Sequence, residues 1–411
     1  MKPTPTRPRV SHGSARLSNP GVLVNEAYFD HAGGGVIDPR VRTEMEAVLA
    51  EIPASAHGLH QWAATSHRRL ERARASVAAL VGADPTWVIF TAGPTEARNL
   101  AVKGTLAANR RLGGAVTATV AEHPATLSAC RSATRDTGGP TLVAITGDGH
   151  VDPHVLGDAV GPETALVCLT HAQPEIGTLL RLDDLIAAVR AARPDVIVHV
   201  DSGDSIGLAP VNMAELDIDL LTIGGASLGA PPWSGALVVR PGTRLHPLIE
   251  GGIHEHGKRA GAEDLPSIAG LGRAAEIARA DGDAVIRRVE GFASVLTDRL
   301  LAVPDVHLTG PRSGRLPGHV SITVGRVEAQ TLVLALAERG VAASPGSACT
   351  AVTRKVSPVL EAIGLEPPLT HSAIVFTLGF STTQHAVDYG ANAFSEVVAS
   401  LRKFSPIGDA A

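Results

Sequence analysis

Residues 195–235 read DVIVHVDSGDSIGLAPVNMAELDIDLLTIGGASLGAPPWSG, and the reading of two apolar runs inside them decides the fold. Residues 196–200 are nearly unbroken apolar and end at Asp201, the pattern of a strand covered on both faces inside a parallel sheet. Asp201 is thereby expected at a strand's carboxyl end, where open α/β sheets keep their ligand crevices. A second run, residues 220–223, leads into Gly224, Gly225, Ala226 and Ser227, and residues 236–239 return as a third strand.

Composition bounds the partners. The chain has 411 residues, 44% hydrophobic and 19% charged, which suits a large domain plus a smaller one. A net charge of −5 and 3% aromatic residues give no electrostatic or stacking reason to expect nucleic acid. Cys130, Cys168 and Cys349 are too few and too scattered for a disulfide framework or a zinc site, so a reducing cytoplasm and no metal are expected. Residues 1–21 are basic and rich in Pro and Ser with no apolar core behind them, and read as a mobile tail. No apolar run approaches membrane-spanning length, so a soluble chain is expected.

Along the chain, residues 22–30 read as a short strand before HAGGG, and a helical spacing follows. A further helix is expected over 67–83, then a strand at 87–90 and TAGPTEARNL, a turn and helix start suited to an anion. Strands at 116–120 and 165–169 end in EHPAT and THAQPEIGT. From about residue 265 a helical run continues to 303, followed by HVSITV, EAQTLVLALAERG and the loop SPGSACT.

These segments together resemble the cysteine desulfurases, class V aminotransferases of fold type I that use pyridoxal phosphate (PLP). The resemblance implies an α/β fold: a large domain (22–265) with a mostly parallel seven-stranded sheet between helices, plus a smaller C-terminal α/β domain (266–411) carrying the cysteine loop. It also implies a homodimer. Family positions for the cofactor are kept at Thr95, His123, Asp201 and Arg259, and SPGSAC matches the loop whose cysteine, here Cys349, is the nucleophile. A thiolate there suits persulfide chemistry, since it can exchange sulfur with two partners.

Other family positions are changed. The turn reads S-G-H-K in the family and its lysine forms the Schiff base, whereas Ser227 stands there and Ala226 replaces the histidine. Gly224 and Ala262 replace phosphate contacts, Gln173 and Pro174 replace two asparagines, and Asp204 replaces a glutamine and would face a phenolate of like charge. Val375 stands for the arginine that holds the substrate carboxylate, and Phe380 for a second arginine. His31 replaces an asparagine, and a structural role or a place in the site are both open for it. Of the lysines at 2, 103, 258, 355 and 403, only Lys258 is a candidate replacement amine.

The expectation is therefore a chain with no covalently held PLP, using Cys349 for sulfur transfer with a sulfur-carrier or biosynthetic partner. Two alternatives stand beside it. One is a PLP-dependent desulfurase or lyase with non-covalent or atypically bound cofactor. The other is a non-catalytic scaffold paired with an active paralogue.

Overall fold

The computed structural model describes residues 27–52, 54–346 and 356–404. Its strands in chain order are β1 (Ala27–Tyr28), β2 (Val88–Thr91), β3 (Ala115–Thr119), β4 (Thr141–Val143), β5 (Thr164–Thr170), β6 (Ile197–Ser202), β7 (Leu220–Gly224), β8 (Gly235–Val239), β9 (Val306–Leu308), β10 (His319–Val324), β11 (Val341–Ala342), β12 (Ser344–Pro345) and β13 (Ala373–Thr377). A seven-stranded sheet runs β2-β8-β7-β6-β5-β3-β4. Only β8 opposes its neighbours β2 and β7; the other pairings are parallel. The expected fold is the observed one.

Both faces of the central strands of this sheet are dry, while the edge strand β4 exposes Thr141 and Leu142, and the two-residue period of a strand divides the faces. Val167, Leu169, Val198, Val200, Leu221 and Ile223 enter one core with the helices Gln61–Leu80 and Leu182–Ala192. Leu166, Cys168, Ile197 and Leu220 enter the other, with Leu100, Ala101 and Cys130. That is why β5 and β6 read as continuous apolar runs instead of alternating ones.

A four-stranded antiparallel sheet, β12-β13-β10-β9, builds the smaller lobe around Val320, Ile322, Phe376 and Phe394. The segment expected as a strand over 22–30 is described only at β1, which pairs in parallel with β11 from the C-terminal part of the chain. One helix, Leu265–Leu301, belongs to both cores: Ile268, Leu271 and Ala274 pack in the first, and Val289, Leu296 and Leu300 in the smaller lobe's. Asp264 caps its start, accepting from the Ser267 backbone N–H at 3.3 Å and from the Ser267 hydroxyl at 2.5 Å.

The loop before that helix is fixed by a buried ion pair. Arg74 donates to both Glu255 oxygens at 2.9 Å, and Glu255 also accepts from the Phe90 N–H at 2.8 Å. Both side chains are 3% exposed or less, so neither charge has water to turn to. Glu255→Ala leaves the buried Arg74 guanidinium with only the half-exposed Glu71 carboxylate at 3.0 Å and the Val88 carbonyl as partners, and is expected to cost about 3 kcal/mol in denaturant unfolding. A double replacement of Arg74 and Glu255 by apolar residues of similar volume is expected to recover much of that loss.

Candidate functional site

The parallel register brings the carboxyl ends of three strands together, with Thr170 beside Asp201 and Asp201 beside Thr222. Asp201 points to the same face as Ile197 and His199, toward the helical segment that begins at Pro94. This segment meets the strand ends closely. A Cβ added at Gly203 would come within 3.0 Å of Pro94, and one added at Gly224 within 2.1 Å of the Gly203 carbonyl oxygen. Gly224 is therefore required by backbone contact.

At the centre lies a residue that sequence reasoning passed over. Arg98, 2% exposed, donates through Nε to Asp201 Oδ2 at 2.6 Å and through a terminal nitrogen to Asp204 Oδ2 at 2.7 Å. Asp201 also accepts from the Gly203 N–H at 3.0 Å and the Thr126 hydroxyl at 3.3 Å. Burial pushes the Asp201 carboxyl up, but the Arg98 charge and hydrogen bond overcome it and hold it at about 2. Asp204 shares the same guanidinium at 2.7 Å, so the carboxylate expected to meet a like charge has a cation beside it.

Sequence did offer a signal. Arg98 is flanked by Ala97, Leu100 and Ala101 on a helix that must be buried, and a buried arginine needs carboxylates such as Asp201 and Asp204.

His123 caps the helix Pro124–Ala133 by accepting from the Ala125 N–H at 3.0 Å. Burial, then the Arg98 charge, lower its pKa, so its ring is neutral beside this group. Its neighbour Glu122 is pushed up to about 8 by burial, against hydrogen bonds from Thr170 and Thr119 that lower it. Thr95 is exposed on the first turn of the Pro94 helix, where Glu96 pairs with Arg259 at 3.1 Å. The structure thus gathers Asp201 and His123 around Arg98, and sets Arg259 on the neighbouring Glu96.

Ser227 lines an adjoining cavity with His31, Leu316, His319, Phe380 and Asp204, the carboxylate that also pairs with Arg98. Its hydroxyl is buried and has no hydrogen-bond partner among the described residues. His31 lines the same space, edge-on to Tyr28 and Phe380, and burial lowers it to about 4. The Gln173 side-chain oxygen accepts from the Glu175 and Ile176 N–H groups at 2.6 and 2.8 Å, so it is engaged in its own turn. Lys258 donates to the Leu245 carbonyl at 3.1 Å. Cys130 and Cys168 are buried with sulfurs 4.0 Å apart, and Cys349 lies outside the described residues. Val375 is buried in β13 opposite Ser344 of β12, the two-residue strand with which the SPGSACT segment begins.

Comparison with known proteins agrees with this layout. Residues 27–389 match the model of the family described as aminotransferase class-V. A cysteine desulfurase IscS of Dictyoglomus turgidum is 34% identical over 385 residues, covering 93% of this chain and 97% of that protein. One from Haemophilus influenzae is 35% identical over 389 residues, covering 93% and 95%. Among solved structures, a NifS-like protein superposes with a TM-score of 0.86 at 26% identity, over 91% of this chain and all of that one. SspA in complex with cysteine does so with 0.74 at 26%, over 87% and 100%.

These matches correct the cofactor expectation. The matched family is one of PLP enzymes, and a match over residues 27–389 overturns the reading of a chain with no covalent cofactor. The side chains described at the site fit PLP only in part. His123 and Asp201 stand together, Asp being a usual partner of the pyridine nitrogen, but Arg98 engages the Asp201 oxygen Oδ2 and Ser227 offers a hydroxyl.

Two outcomes follow from the charges. Arg98→Met should lower stability by about 3–5 kcal/mol near neutral pH, because it leaves Asp201 ionised, buried and unpaired. Asp201's depressed pKa makes its contribution present above its ordinary carboxylate value and lost as pH falls through about 2, so wild type and variant should converge in acid. Glu122 has the opposite sign: its raised pKa stabilises fully below 4.5 and is lost as pH rises through about 8. Urea titrations of Glu122→Gln from pH 5 to 9 should show a flatter decline than wild type.

Proposed function

Because the chain belongs to the class-V aminotransferase family, we propose that it is a sulfur-transfer protein of the cysteine desulfurase kind that carries sulfur on Cys349. The observation that carries this reading is the near full-length match to proteins named cysteine desulfurase. The motif SPGSACT supports it from within the sequence. A Cys349 thiolate attacks the terminal sulfur of a persulfide, the donor leaves as its thiolate, and Cys349 holds the new S–S bond. A second thiol, on a sulfur-acceptor protein, then takes that sulfur by the same exchange.

The finer part of the reading is a diverged site. Ser227 supplies no amine where the family has its lysine, and Val375 no cation where the family holds a substrate carboxylate. Free amino-acid recognition by the family's route is thereby weakened, whereas exchange at a cysteine loop needs neither group. A homodimer that hands sulfur to a carrier partner is part of the same proposal.

The test is to incubate the full chain with a low-molecular-weight persulfide and to measure protein-bound sulfane sulfur by mass spectrometry. About one sulfur per chain on Cys349, lost in Cys349→Ser while Cys130→Ser retains it, is the expected result. Equal labelling of wild type and Cys349→Ser would remove the proposal. Parallel incubation with L-cysteine and PLP distinguishes a PLP-dependent desulfurase, which releases sulfide from cysteine itself.

A further inference from the structure

The loop between β8 and the long helix gathers a second chemical group, apart from Arg98 and the Ser227 cavity. His57 Nε2 lies 2.7 Å from Glu263 Oε1, and the His57 and His254 rings meet edge to face with centroids 4.9 Å apart. One ligand atom from each of His57, His254 and Glu263 falls within 4.8 Å of the other two. The Glu263 side chain is 6% exposed, while His57 is 46% exposed. His254 Nδ1 is buried and has no hydrogen-bond partner among the described residues, an unfavourable state for an imidazole nitrogen unless something else fills it.

The protein holds these groups in place before any ligand arrives. Next to His254, Glu255 is locked by Arg74 and the Phe90 N–H. Next to Glu263, Asp264 is locked as the helix cap. His57 sits in a turn closed by the Gly58 N–H to the Ser55 carbonyl at 3.1 Å. These contacts fix the backbone on which the three side chains stand, which limits the ordering that an ion must impose.

We infer that His57, His254 and Glu263 form a binding site for a first-row divalent cation of the zinc class. Two imidazoles and one carboxylate are a borderline-soft set that suits zinc, cobalt or nickel, and a calcium or magnesium site would need more oxygen. Around a tetrahedral zinc, ligand atoms sit roughly 3.3 Å apart, so the hydrogen bond between His57 and Glu263 opens slightly and its proton leaves to solvent. Three protein ligands leave a fourth position for water, and the 46% exposure of His57 leaves the cluster open to an ion arriving from solvent. Cysteine spacing gives no hint of this set, and His57 lies far in sequence from the loop that carries His254 and Glu263.

The test is equilibrium dialysis of the untagged, chelator-treated full chain against zinc, with cobalt absorption as a second readout of the ligand set. The expected result is one zinc per chain in wild type and in His67→Ala, a control on an exposed histidine of the helix Gln61–Leu80. Affinity should fall roughly tenfold or more in His57→Ala and in Glu263→Gln, and the cobalt spectrum should change in both. His57 is exposed, so its variant is expected to fold, and thermal unfolding without metal checks this. Failure of wild type to bind micromolar zinc overturns the inference, as does unchanged binding in the His57 and Glu263 variants.

Discussion

One guanidinium between two carboxylates organises the carboxyl edge of the main sheet. Arg98 cannot reach water, so its charge is tolerable only because Asp201 and Asp204 both lie within 2.7 Å of it. The pairing couples three pieces of chain: the segment from Pro94, the end of β6 and the loop beyond it. It also sets the electrostatics of its surroundings, keeping Asp201 ionised and helping to keep His123 neutral. Close backbone contacts complete the arrangement, since Gly203 and Gly224 give no room for a side chain where Pro94 and the strand ends meet.

Much of the fold was legible. The unbroken apolar runs at β5, β6 and β7 reported two-sided burial, and the small-residue turn after β7 and the return of β8 were visible in the same stretch. The strand at the N-terminus was less so, because pairing of Ala27 and Tyr28 with Val341 and Ala342 joins residues far apart in sequence. No local periodicity encodes such a partner.

The site was legible by residue but not by partnership. Asp201 and His123 are singled out in the sequence and do lie near one another; the charge that acts on both, Arg98, looks like an ordinary helical residue among alanines. Gln173 shows the converse. Its amide could have faced the site on chemical grounds, yet two backbone N–H groups in its own turn claim the oxygen. Local hydrogen bonds of this kind compete with function and are invisible until geometry is known. The cofactor expectation failed for a related reason: it took one missing amine as decisive, whereas the near full-length match ties the chain to a PLP family.

The helix Leu265–Leu301 has a mechanical consequence. It is uninterrupted, and its two halves are clamped in different cores. A rod gripped at both ends transmits rotation instead of absorbing it, so twisting the smaller lobe must drag the helix start as well. Asp264, Glu263 and Arg259 sit at that start, which makes the far lobe a lever on the histidine and carboxylate cluster.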